Sequence, residues 1–233
     1  MTRDLLTGAN FGGPLQVNGS AGTAGQVLQS AGPGQVPTWA TPSGSGSSFA
    51  GYAVGNWISP VLGAVSAGTA HVANNIYLFP FILQRSISVD ALGARVTSAS
   101  AGSSTQLAIY SSLSGLPTGT PLASTGNLSS AATGTITASV TSFNISAGAI
   151  YWMATNSGGT PVLQHLSAAS NSIGYILGSD SIGDITSAAA VASYYRSFAQ
   201  TFGTWPNLTG ASTTKATGAG RGGIVYLKVS ALL

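Results

Sequence analysis

Ionised side chains are scarce in this chain of 233 residues. Charged residues make up 5% of the sequence, and glutamate does not occur at all. A folded monomer normally keeps more charge than this on its surface for solubility. Ser, Thr, Asn, Gln and backbone amides must therefore cover the surface, which favours a protein that is buried against other chains or solubilised as part of a larger particle.

Basic residues are equally sparse, and they are dispersed along the chain. The net charge is +3, and no two of the seven Lys and Arg residues are neighbours in the sequence. Domains that bind nucleic acid carry a clustered basic stripe. This composition therefore argues against nucleic acid as a partner.

Cysteine is absent, which excludes disulfides and cysteine-based metal sites. Residues 1–6 contain no basic stretch followed by an apolar run, so we expect no signal peptide. No apolar run approaches the roughly 20 residues that a membrane helix needs. We therefore expect neither an export signal nor insertion into a membrane.

Short runs of β-branched and aromatic residues fill the chain from residue 52 onward. Gly, Pro, Ser and Asn separate them, which is typical of an antiparallel all-β protein. Ten strands are predicted, at residues 57–65, 71–81, 86–99, 106–111, 122–127, 135–142, 150–156, 162–165, 190–198 and 224–230. This number fits a two-sheet β-sandwich of the jelly-roll type.

The N-terminal part of the chain has a different composition. Residues 1–41 are predicted to form an extended arm and a short hairpin, with one strand at 26–29 and another that ends at Trp39. An isolated hairpin is not stable in water, so we expect it to pack with two further copies in a homotrimer. Residues 42–51 form a Gly/Ser linker, and residues 52–233 form the distal β-sandwich domain.

Two stretches of the chain resemble bacteriophage fibre proteins. Gly22-Thr23-Ala24-Gly25-Gln26-Val27-Leu28, followed by Gly32-Pro33-Gly34 and Pro37-Thr38-Trp39, is similar to a motif that stands ahead of a distal domain in tail-fibre and other virion-fibre proteins. Residues 79–156 resemble the β-sandwich domains of such fibres in five places: Phe79-Pro80, Ile87-Ser88-Val89-Asp90, Leu107-Ala108-Ile109-Tyr110, the loop Gly115-Leu116-Pro117-Thr118-Gly119 and Tyr151-Trp152. In the fibre proteins this loop is of the type Gly-x-Pro-Gly, and Thr118 is an insertion relative to that pattern. The two stretches cover a little under half of the chain.

The resemblance implies a structural protein of a bacteriophage virion. Our leading hypothesis is a tail fibre or receptor-binding appendage on the virion surface. It would attach by its N terminus to other virion proteins and contact a host surface glycan through the sandwich. The alternative is a capsid decoration or head-fibre protein that docks on the shell. A secreted bacterial carbohydrate-binding or adhesin module is a third class, which the missing export signal disfavours.

Candidate contact residues follow from their chemical type. For virion attachment we single out the apolar residues of the arm, which are Leu5, Leu6, Phe11, Leu15 and Val17. Sugars bind flat aromatic faces, with amide groups supplying hydrogen bonds. For glycan binding we therefore single out aromatic and amide side chains in long polar loops, namely Trp205, Asn207, Tyr195 and Tyr175.

A packing role is the alternative for the aromatic residues. Tyr194, Phe198 and Phe202 are spaced by four and can form a core stripe or a trimer contact, and for Trp205 the two interpretations weigh equally. The other tryptophans lie in predicted strands, where they are expected to pack; they are Trp39, Trp57 and Trp152.

No catalytic site is expected, because no nucleophile, base and acid come together in a recognisable pattern. His71 is predicted to be a polar residue at the start of a strand, and His165 a strand end that faces solvent. Asp90 is expected to form an ion pair with Arg85 or Arg95.

No metal or cofactor is expected either. Asp180 and Asp184 flank a glycine-containing loop, and carboxylates at that spacing can bind calcium. They lack a third carboxylate, so the preferred interpretation is a loop capped by its own Asp side chains.

Overall fold

The computed structural model describes residues 15–40, 51–61, 65–166, 196–211, 214–215 and 222–233. By its internal contacts the chain divides into two compact units, Met1–Ser48 and Phe49–Leu233. The described residues form strands and turns without a helix, which confirms the all-β prediction. It follows that none of them belongs to a helix with the length and apolarity of a membrane span. The predicted trimer stays a prediction.

The N-terminal unit contains one small hairpin. Strand β1, Val27–Gln29, pairs antiparallel with β2, Thr38–Ala40, so the predicted hairpin is confirmed. Trp39 anchors it, because its Nε1 donates a hydrogen bond to the Ser20 carbonyl oxygen at 2.8 Å. Gly22 lies directly against the indole, where a Cβ atom would come within 2.8 Å of Cδ2, and its φ of +72° also favours glycine. The spacing of Gly22 and Trp39 in the motif is therefore a packing requirement.

The distal unit contains thirteen strands among its described residues, and each of the ten predicted runs overlaps one of them. In chain order these strands are β3 (Trp57–Ile58), β4 (Val65–Ala67), β5 (Asn75–Ile82), β6 (Ile87–Ser98), β7 (Ser104–Leu113), β8 (Leu116–Ser124), β9 (Leu128–Ser129), β10 (Gly134–Ile145), β11 (Ile150–Ser157), β12 (Val162–Leu166), β13 (Arg196–Ala199), β14 (Thr214–Lys215) and β15 (Tyr226–Leu232).

These strands form two antiparallel sheets. The first sheet has the order β3-β15-β6-β12-β4, with β10 on the other side of β6, and the second has the order β14-β13-β5-β11-β7-β8, with β9 beside β7. Buried side chains of both sheets meet in one apolar core; examples are Phe79, Phe81, Ile109 and Met153 from the second sheet and Ile87, Leu92, Leu227 and Val229 from the first. The predicted two-sheet β-sandwich is confirmed.

The second sheet is apolar on its outer face as well. A second cluster of buried side chains lies there, made of Ile76, Leu78, Ala108, Tyr110, Trp152, Ala154 and Leu208. Leu208 belongs to residues 196–211, and Phe198 and Trp205 of the same segment pack against the cluster. A sheet that is buried on both faces needs nearly continuous apolar strands, which explains the sequence of β5 and β11.

The loop predicted at residues 115–119 is a shorter turn in the structure, so its predicted extent is wrong. Leu113 already pairs with Leu116, so β7 and β8 form a tight hairpin with Ser114 and Gly115 as its turn. Their φ values of 51° and 78° are both positive, as in the type I′ turns that match the twist of hairpin strands. Thr118 consequently lies in β8, opposite Ser111, rather than in a loop.

Candidate functional site

Trp205 and Asn207 are the predicted glycan-binding residues that lie in the described part of the chain. Trp205 packs on the outer face of the second sheet, edge-on to Tyr110 with ring centroids 6.2 Å apart. Asn207 is exposed, and its Oδ1 accepts a hydrogen bond from the Thr209 backbone N–H at 2.9 Å. Packing and a local turn thus account for both side chains, and their role in glycan binding stays a prediction. Tyr175 and Tyr195 lie outside the described residues.

The segment around Trp205 is held against the sheet by several contacts. The Tyr110 hydroxyl donates to the Pro206 carbonyl oxygen at 3.0 Å, and the Leu208 N–H donates to the Gly119 carbonyl oxygen at 2.8 Å. Earlier in the segment, the Phe202 N–H donates to Asn74 Oδ1 at 2.9 Å. These bonds fix residues 202–208 as a cover for the outer face of the second sheet.

Alkaline pH should destabilise the protein through Tyr110. Its side chain is fully buried, and burial raises the pKa of its hydroxyl above the ordinary value of 10.0. Above pH 10 the unfolded chain releases this proton before the folded chain does, so folding becomes less favourable, by up to about 1.4 kcal/mol per pH unit. Below pH 10 both states keep the proton, and Tyr110 adds no pH dependence.

Urea unfolding of the wild type and of Tyr110→Phe, each at pH 7 and at about pH 10.5, measures this effect. The wild type should lose more stability between the two pH values than the variant does. Equal losses would show that Tyr110 ionises as easily in the folded chain as in the unfolded one.

The predicted attachment residues are only partly described. Leu15 is exposed, and Val17 forms an isolated antiparallel bridge with Ser20. Leu5, Leu6 and Phe11 lie outside the described residues. The role of these five residues in virion attachment therefore stays a prediction.

An open groove of about 450 Å³ lies on the outer face of the first sheet. Five strands, β3, β6, β10, β12 and β15, contribute to it. Its lining residues are Trp57, Gly93, Ala94, Arg95, Thr135, Thr137, Gln164 and Tyr226. Because these residues are spread over most of the distal unit, the groove has no continuous sequence motif, and sequence reasoning missed it.

The floor of the groove is Gly93, in the middle of β6. It pairs with Thr137 of β10 on one side and with Tyr226 of β15 on the other. A Cβ atom on Gly93 would come within 3.0 Å of Thr137 Cγ2 and 3.1 Å of Trp57 Cζ3. Glycine at this position therefore allows the indole of Trp57 to lie close over the sheet.

Two aromatic side chains form the walls. Trp57 packs over Gly93 but is 43% exposed, so its predicted packing is only partial, whereas the same prediction is confirmed for the fully buried Trp152. The Tyr226 hydroxyl donates to Gln164 Oε1 at 2.8 Å, which fixes the phenol ring. Burial raises the pKa of Tyr226, and the positive charge of Arg95 partly opposes this shift. Tyr226 thus presents a neutral ring beside a guanidinium group.

A buried polar cluster, the His71 cluster, lies at one end of the sandwich interior. His71 lies before β5, which begins at Asn75, and is 1% exposed, so the prediction of a polar residue at the start of a strand is wrong. Its Nδ1 lies 3.3 Å from Ser157 Oγ and its Nε2 lies 3.4 Å from Thr155 Oγ1. Thr105 Oγ1 extends the chain of contacts to Ser157 Oγ at 2.9 Å. Because Ser157 and His71 are enclosed, this hydroxyl and imidazole hold strands together and are not open to a substrate.

Two further predictions about polar residues need correction. His165 does not face solvent: it is 6% exposed, and its Nδ1 lies 3.2 Å from Ser66 Oγ. Asp90 Oδ1 is buried without a hydrogen-bond partner among the described residues. The ion pair predicted for Asp90 is therefore not formed through this oxygen.

The described ranges bring no three His, Cys, Asp or Glu side chains together as metal ligands. Asp180 and Asp184, whose loop was considered for calcium, lie outside these ranges. No protein-family model and no curated protein matches this chain.

Proposed function

We propose that the chain is a binding protein without catalytic activity, whose distal β-sandwich holds a carbohydrate in the groove of the first sheet. The observation that carries this proposal is the pairing of an exposed indole, Trp57, with the fixed phenol of Tyr226 across a glycine floor. The proposal places the glycan on the first sheet, and not on the Trp205 segment, because that segment is already packed on the second sheet.

The chemistry of the groove suits a sugar. The C–H face of a pyranose ring stacks on a flat aromatic surface, and its hydroxyls need a few well-placed hydrogen-bonding groups. Trp57 supplies the flat surface, and the amide of Gln164 and the hydroxyls of Thr135 and Thr137 lie around it. The mixture of apolar walls and neutral polar groups favours stacking combined with hydrogen bonds.

We further propose that the chain is a structural protein of a bacteriophage virion, a homotrimeric tail fibre or receptor-binding appendage that contacts host surface glycan. The low charge content and the fibre-like motifs support this proposal. Three weak sites on one trimer, multiplied over several fibres, would give useful avidity. A capsid decoration or head-fibre protein that docks on the shell is the alternative.

The two virion locations predict different neighbours for the N-terminal arm. Cross-linking from residues 1–20 in intact virions should reach tail or baseplate proteins if the chain is a tail appendage, and capsid subunits if it is a head fibre. Light scattering should give three chains per particle for the purified protein. A stable monomer would contradict the trimer.

Replacing Trp57 with alanine should weaken glycan binding roughly tenfold, the effect of losing about 1.4 kcal/mol of stacking and desolvation. The measurement is a glycan array with the full-length protein, followed by calorimetry on the best-bound glycan. Val72→Ala, which shortens an exposed apolar side chain outside the groove, is the matched control. If Trp205→Ala abolishes binding while Trp57→Ala leaves it intact, the glycan site is on the second sheet and the groove assignment is wrong.

A further inference from the structure

We propose that the groove selects carbohydrates that carry a carboxylate, with Arg95 binding the acid group while the sugar ring lies on Trp57. This inference rests on the proposed carbohydrate-binding function and adds the class of sugar. It follows from the placement of charge on the outer face of the first sheet.

Among the described residues that line the groove, Arg95 is the cationic one and none carries a carboxylate. Its side chain is exposed at the rim, and it pairs across the strands with Thr135. Arg95 and Tyr226 line the same groove, and the positive charge of Arg95 partly offsets the rise in the pKa of the phenol. A ligand that contacts Tyr226 therefore comes within the field of Arg95.

A second positive charge lies on the same face. Lys228 is two residues along β15 from Tyr226, and it pairs with Ala91 of β6 and with Trp57 of β3. Since side chains of a strand alternate between faces, Lys228 projects on the side of Tyr226. Asp90 is the one acidic side chain in the described ranges, and it does not line the groove. Arg95 and Lys228 thus place two positive charges on the face that carries Trp57, in a chain that has few charges of either sign.

Guanidinium and carboxylate groups match in geometry, because the planar fork of arginine can donate two parallel hydrogen bonds. Arg95 is solvent-exposed, so water and salt screen the pair and its contribution is modest. We therefore expect a preference of roughly two- to fivefold for an acidic sugar over its neutral counterpart. The preference should shrink as the salt concentration rises.

The test is an array that displays carboxylate-bearing glycans beside the same glycans after reduction of each carboxylate to an alcohol, probed with the full-length protein. The wild type should bind the acidic member of a pair roughly two- to fivefold more tightly. Arg95→Gln should bind both members equally, at the affinity of the neutral one, and Trp57→Ala should bind both weakly. Arg85→Gln, which removes one positive charge outside the groove, should keep the preference.

Each other outcome overturns a specific claim. If the wild type binds both members equally and Trp57→Ala binds neither, the acid preference is wrong and carbohydrate binding in the groove still holds. A preference that survives in Arg95→Gln removes the role of Arg95. Absence of binding to every glycan removes the inference and the proposed function together. If light scattering shows that Trp57→Ala changes the number of chains per particle, the groove is a contact between copies and the inference fails.

Discussion

Replacing Trp152 with alanine is expected to lower the free energy of unfolding by about 3–5 kcal/mol. Trp152 lies in β11, is fully buried, and belongs to the cluster on the outer face of the second sheet. Its Nε1 donates to Ser112 Oγ at 3.4 Å. The substitution removes most of a large side chain from a layer enclosed by its neighbours, so the remaining cavity adds to the lost burial.

Trp57→Ala is the matched control, because it deletes the same atoms from a side chain that is 43% exposed. Its stability loss should be less than half that of Trp152→Ala. Urea unfolding measures both, at one fixed protein concentration because assembly makes stability depend on concentration. Equal losses would mean that the outer layer of the second sheet is no more tightly packed than the groove.

Replacing His71 with alanine is expected to cost about 2–4 kcal/mol of unfolding free energy, because it removes one hydrogen-bonding partner from each of two buried hydroxyls and opens a cavity. Ser157 and Thr155 both contact the imidazole and are themselves buried. An unpaired buried polar group costs about 1–3 kcal/mol, more than the net gain from the bond that it lost.

A double-mutant cycle with Ser157→Ala shows whether the His71 cluster acts as a unit. If it does, the double variant loses less stability than the sum of the two single losses, since His71→Ala has already removed the contact between the imidazole and the Ser157 hydroxyl. Additive losses would show that the imidazole and the Ser157 hydroxyl do not depend on each other.

The two-sheet sandwich could be predicted from the sequence because the relevant signal is local. Alternation such as Ile87, Val89 against Ser86, Ser88 marks a strand with one buried face, and short polar breaks separate the strands. Boundaries were less certain where a turn is made by few residues. Ser114 and Gly115 form the whole turn between β7 and β8. The neighbouring sequence contains no signal that distinguishes this two-residue turn from the longer loop expected at residues 115–119.

The Trp205 segment illustrates why loop composition misleads. Aromatic and amide residues on a polar loop are common in binding sites, but they also cover exposed apolar sheets. The signal that favours a cover lies elsewhere, in β5, where Ile76 and Leu78 alternate with Tyr77 and Phe79 so that both faces are apolar. Such a strand requires a second packed layer, and residues 196–211 contribute to it.

The groove and the His71 cluster could not be predicted because each depends on register between strands that are far apart in the chain. Trp57 and Gly93 come together only because β3 and β6 both flank β15. His71 meets Thr155 and Ser157 only after β5 and β11 have paired, and no sequence spacing encodes that meeting.

The glycine floor has a consequence for how this surface can evolve. Because the depth of the groove comes from a side chain that is missing, a codon change that puts a large side chain at Gly93 would push against Trp57 and Thr137 and fill the groove. Thr135, Thr137 and Gln164 project outward and contribute nothing to the apolar interior. Descendants of this chain can therefore exchange one ligand for another at those three positions and keep the same scaffold.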